Sequence, residues 1–193
     1  MIYLILGLAI FIGVHSVRMV ADGWRTRIRQ RLGEGVWKGL YSLASLAGLA
    51  LMAWGFDAAR EQPVVLWAPP TGMRHVAAVL MLLSFVLLAA AYVPGNGIKS
   101  RLHHPMVLGV KVWALAHLLS NGMLAHVLLF GALLIWAVLN FRSARRRDRA
   151  AGTVYPVGDQ EVSILASARP LPGSRSRLPA RPAGRLPRSG KRL

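Results

Sequence analysis

HHPMVLGVKVWALAHLLSNG, residues 103–122, combines apolar length with five groups that hydrocarbon disfavours: His103, His104, Lys111, His117 and Asn121. Between residues 107 and 119 the stretch is otherwise Val, Leu, Ala, Gly and Trp, so it reads as a membrane helix carrying chemistry on its surface. Pro105 suits a first helical turn, where its missing N–H costs nothing, and places His104 at the start of the helix. Steps of four residues put Gly109, Trp113, His117 and Asn121 on one stripe. Lys111, seven residues after His104, falls almost in line with it on a different stripe. A helix with two polar faces needs neighbours to cover both.

The rest of the chain supplies them. It is 54% hydrophobic over 193 residues, with a mean hydropathy of +0.44 and no cysteine. Five separate apolar runs predict an all-α, polytopic transmembrane helical bundle. Without cysteine there is no disulfide framework, no thiolate nucleophile and no Cys-based metal site. A net charge of +17 would suggest nucleic acid in a soluble protein. Here the Lys and Arg residues cluster at 18–38, 99–101 and 142–149, which fall on one side if five helices alternate. That is the positive-inside pattern, and it explains the basicity with a lipid bilayer and no nucleic acid as partner.

The spans are expected at residues 2–20, 36–56, 76–93, 105–119 and 124–141, with the N-terminus outside and the first helix uncleaved. Residues 22–34 (DGWRTRIRQRLGE) carry Trp24, Ile28 and Leu32 at intervals of four, which suits either a short amphipathic helix on the inner leaflet or a basic loop that fixes topology. Ser42, Ser45 and Gly48 let a neighbour approach the second span closely. Pro63, Pro69, Pro70 and Gly72 mark residues 57–74 as a loop, and residues 94–97 (PGNG) stop the third span. A turn as short as Ser120-Asn121-Gly122 makes the fourth and fifth spans antiparallel neighbours. The division is thus a transmembrane domain over 1–149 and a basic Pro/Arg/Gly-rich tail over 150–193, expected to be disordered. The tail's composition resembles GC-rich codons read out of register, which predicts a frameshift near residues 159–167.

Placed by depth, His15, His103 and His104 fall toward the inner side, and His75, His117 and His126 toward the outer side. An intramembrane imidazole serves a neighbouring helix as a hydrogen-bond partner more often than it serves a metal. His117 stands apart because Trp113 and Asn121 flank it with a ring wall and a polar partner. There is no H-E-x-x-H, H-x-x-E-H, G-x-S-x-G, P-loop or G-x-G-x-x-G, which disfavours metalloprotease and common soluble-enzyme chemistry.

FIGVHSVR (residues 11–18) and HPMVLGVKVWALAHLLSNG (residues 104–122), followed by LFG at 129–131 and Trp136-Ala137, resemble the NnrU family over roughly residues 1–149. Those are integral membrane proteins of bacteria associated with denitrification, so the resemblance implies an inner-membrane protein supporting nitrite or nitric oxide reduction, or a related redox or isomerase step. The family is similar in turn to plant zeta-carotene isomerase, a membrane haem b protein. Carried over by motif, that enzyme's axial histidines fall on His15 and His117, while its cysteine three residues before the second histidine is Ala114 here. Arg18 and Lys111 are then available to pair with haem propionates, and Trp113 and Asn121 to support His117. The depth reading separates His15 and His117 by roughly 10 Å at 1.5 Å per residue, a gap that tilt would close, and it makes His104 the spare ligand. The expected partners beyond lipid are a hydrophobic small molecule or a redox protein. Two other classes remain: a non-catalytic membrane assembly factor, and a membrane methyltransferase, suggested by similarity of H-P-x-x-x-G to the isoprenylcysteine methyltransferases.

Overall fold

The computed structural model describes residues 1–155, which form seven α-helices: α1 (Ile2–Val20), α2 (Asp22–Leu32), α3 (Glu34–Glu61), α4 (Met73–Tyr92), α5 (Gly97–Leu102), α6 (Pro105–Ser120) and α7 (Leu124–Ala151). Of the tail expected at 150–193, residues 150–151 still belong to α7, while residues 156–193, with the frameshift expected near 159–167, lie outside the described residues. Four helices, α1, α3, α4 and α7, are long and apolar enough to cross a membrane; α6, at 16 residues, is an apolar helix short of that length. Large apolar side chains stand on outward faces, such as Val79 at 68%, Leu82 at 67% and Ile135 at 65% exposure. In a helical bundle that surface is what lipid tails cover.

The main packing runs α3 on α1, α1 on α7, α7 on α6 and α6 on α4. Small residues set it. Cβ atoms added at Gly7, Gly48 and Gly55 would strike the backbones of Met52, Phe11 and Leu4, so α1 and α3 meet main chain to main chain, antiparallel. Such approach replaces the hydrophobic drive that lipid removes. The expected small-residue face of α3 is thus real at Gly48, but its centre is Gly55 rather than Ser42 or Ser45. On the far side, the wholly buried Ser84 of α4 donates to the Gly109 carbonyl of α6 at 2.9 Å. That bond gives the buried Ser84 hydroxyl its partner and fixes the α4–α6 register.

At one end of the bundle the loop before α4 pairs with the turn between α6 and α7. Val65 and Met123 form an isolated bridge, Leu66 N–H donates to Gly122 O at 2.8 Å, and Leu124 N–H donates to Val64 O at 2.9 Å. A Cβ at Gly122 would fall on the Trp67 carbonyl oxygen. Gly122→Ala is therefore expected to lower the apparent Tm, by roughly 1–3 kcal/mol of overpacking, in thermal unfolding of detergent-purified protein.

Several boundaries differ from expectation. α3 runs on through Asp57–Glu61, expected as loop. The basic run 142–149 prolongs α7 rather than leaving it, because Arg and Ala are strong helix formers. α7 ends at Gly152 (φ 59, ψ 31), with Thr153 N–H returning to Asp148 O at 3.0 Å. Residues 22–32 are helical, in keeping with the amphipathic reading, and residues 97–102, expected as a bare connection, form the short α5.

Candidate functional site

At the end opposite the Gly122 turn, α1, α2, α3, α6 and α7 line a half-open cavity of about 940 Å³. Apolar side chains, Val14, Val17, Val107, Val110 and Trp136, share its lining with Tyr41, Ser42 and Asn140. Its mouth is cationic, with Arg18, Arg25, Arg29, Lys38 and Arg147 drawn from four helices. The acids there are already engaged: Glu34 pairs with Lys38 at 2.9 Å, and Asp148 takes His104 at 2.7 Å. The arrangement suits an apolar body with an anionic edge.

His15 stands in the cavity wall. Its Nδ1 lies 2.7 Å from the Phe11 carbonyl one turn earlier, and its ring stacks on Phe11 at 4.2 Å and meets Trp136 edge-on at 5.9 Å. A carbonyl only accepts, so Nδ1 carries a proton, and in the neutral ring Nε2 then keeps its lone pair. Nε2 has no hydrogen-bond partner and is not among the enclosed orphan atoms of the described residues. One ring nitrogen bonded to a carbonyl with the other open is the way metal-binding imidazoles are held.

The other expected site residues divide. His104 and Arg18 line the same cavity as His15. His117 does not: its ring stacks on Phe130 at 4.2 Å and 5°, and Trp113 closes on it edge-on at 5.0 Å. Trp136 and Phe130, the α7 partners of His15 and His117, are six residues apart, about 9 Å of helix rise. Asn121 bonds locally, donating to His117 O at 3.0 Å and Ser120 Oγ at 3.1 Å. Lys111 reaches over the Phe141 ring at 6.0 Å and lines no part of the cavity. Among the described residues no three His, Asp or Glu side chains form a metal-binding group.

Asp148 and Tyr155 were not singled out from sequence, although Asp148 is the one acid inside the basic run at 142–149. Tyr155 O–H donates to Asp148 Oδ2 at 3.1 Å. Burial, then the hydrogen bond to the Asp148 carboxylate and its charge, push the Tyr155 phenol above its ordinary value. A raised folded value stabilises the folded state below the ordinary phenol pKa, and the contribution is lost as pH rises through the raised one. The Tyr155 phenolate band, taken as wild type minus Tyr155→Phe, is expected to titrate above the ordinary tyrosine range; titration at or below that range would contradict the contact.

A family model described as NnrU protein matches residues 3–169. The chain belongs to the NnrU family. Searches of the curated proteins and of the solved structures return no match. The NnrU match takes in α1 from residue 3, the other six helices whole and every residue of the cavity wall, and it runs twenty residues beyond the resemblance seen at 1–149.

Proposed function

We propose that this NnrU-family protein is a multi-pass protein of the bacterial inner membrane that holds haem b in the cavity beside His15, in support of nitrite and nitric oxide reduction. The basic cavity mouth faces the cytoplasm by the positive-inside rule, the N-terminus lies outside, and α6 serves as a fifth, short crossing. The observation that carries the reading is His15: Nδ1 is committed to Phe11 O and Nε2 is left open on a cavity of about 940 Å³. Cavities of roughly 300–1,000 Å³ are typical of cofactor sites.

The residues fit the group. His15 Nε2 would hold the iron, Val14, Val107, Val110 and Trp136 would offer the ring an apolar lining, and Arg18, Arg29 and Arg147 would be available to its carboxylates. Bound haem supplies an iron centre for electron transfer or for binding small nitrogen oxides. His117, on the far aromatic stack, is left to packing.

The visible spectrum of protein purified from haem-replete cells tests the reading. A Soret band that travels with the protein is expected. A colourless protein that also fails to take up added haem would reject it in favour of an assembly factor. Methyl transfer from labelled S-adenosylmethionine, retained without haem, would favour the methyltransferase class instead.

A further inference from the structure

His104, Asp148 and Tyr155 line the same cavity as His15. His104 Nε2 lies 2.7 Å from Asp148 Oδ2. A carboxylate ionised at neutral pH only accepts, so Nε2 carries a proton and donates it. In the neutral ring this leaves the lone pair on Nδ1, which has no hydrogen-bond partner and is not enclosed. A carboxylate behind one imidazole nitrogen, with the other nitrogen open to a cavity, is how an imidazole is arranged to take and return protons.

The chain invests in this corner. His103 adopts φ 68 and ψ −46, and His104 N–H donates across it to Leu102 O at 2.8 Å. That is a γ-turn of the strained, positive-φ kind, a conformation held only where the surroundings impose it. The cap at Gly152 then turns the chain back so that Tyr155 reaches the same Asp148 oxygen as His104, while its ring lies 4.7 Å from that of His103. Burial raises the Asp148 carboxyl, but the hydrogen bonds from Tyr155 and His104 outweigh it and hold the group below its ordinary value.

We propose that His104, held by Asp148, is the proton acceptor and donor of the cavity, and that the cavity therefore serves protic ligands, small acids or anions that change protonation state on binding or reaction. The proposal rests on the cavity being the ligand site, but not on the ligand being haem. In the step, the H–X bond of the ligand breaks, its electron pair stays on X, and the proton bonds to His104 Nδ1. The imidazolium so formed keeps Nε2–H on Asp148 and later releases the Nδ1 proton to water at the basic mouth. Nothing is oxidised or reduced. Asp148 is the positioning residue.

Site-resolved carbethoxylation of the full-length protein in detergent, with diethyl pyrocarbonate as probe and no haem added, tests this apart from the haem reading. His104 is expected to react faster than the exposed His75. Asp148→Asn, which keeps the shape and removes the charge, is expected to slow His104 roughly tenfold, the effect of losing a charge-assisted hydrogen bond. His75 should be unchanged, and Asp148→Glu should restore part of the rate. An unreactive His104, or a rate indifferent to Asp148→Asn, overturns the proposal. A faster rate in Asp148→Asn overturns it as well, because it marks a purely structural tie whose loss opens the end of the bundle.

Discussion

His15→Ala protein will take up no haem, while His117→Ala protein will keep its Soret band. The two substitutions remove the same ring from two helices of the same bundle, so the difference isolates the cavity. His15 has an open Nε2 on the cavity wall, whereas the imidazole of His117 is stacked flat on Phe130, away from that wall. Loss of an outer-shell partner alone lowers metal affinity by roughly 10–100-fold, and loss of the ligand itself should exceed that. The check is the Soret absorbance per mole of protein, read on monodisperse material so that unfolding is not mistaken for loss of a ligand. The reverse pattern, with His117 needed and His15 dispensable, would move the site to the outer aromatic stack.

Gly55→Leu protein will fail to keep α1 on α3. The Cβ alone would fall on the Leu4 backbone, and a main-chain atom cannot swing aside as the end of a side chain can. The helices must then separate along the line that also holds Gly7 and Gly48. Overpacking a well-fitted core costs about 1–3 kcal/mol, and a whole isobutyl group against backbone lies at or beyond the top of that range. Gly13→Ala is the control, since a Cβ at Gly13 meets nothing within 4 Å and alanine favours the helix. In thermal unfolding of detergent-purified protein, a marked fall in apparent Tm for Gly55→Leu and no fall for Gly13→Ala is expected. Equal behaviour of the two would show that the α1–α3 contact carries little of the stability.

Apolar runs are legible because a membrane helix must satisfy its backbone internally and cover a fixed thickness. Residues 2–20 and the start at Pro105 were therefore readable to the residue, the second with help from proline at the first turn. Polar helix ends were not. Asp57–Glu61 and Arg142–Ala151 stay helical past the apolar text, and charge patterns that announce a membrane boundary say nothing about where helix geometry stops. The packing glycines were half visible: Gly48 shows as a small residue, but Gly55 and Gly7 gain meaning only once α1 and α3 are brought together.

The candidate site was legible one residue at a time and not as a set. His15 and His104 stood out as histidines beside apolar text, and their sharing one cavity depends on α6 running antiparallel to α1 and α7. Asp148 sits 44 positions from His104 in a run that reads as a topology signal, so no local pattern links the two. The fold places His15 against Trp136 and His117 against Phe130, so the two rings meet different stretches of α7.

The most direct test is a titration of haem b into purified full-length protein, followed at the Soret band against empty detergent micelles. The account predicts a saturable rise ending at one haem per chain, abolished in His15→Ala. A rise that never saturates, or one identical to the micelles alone, would contradict it.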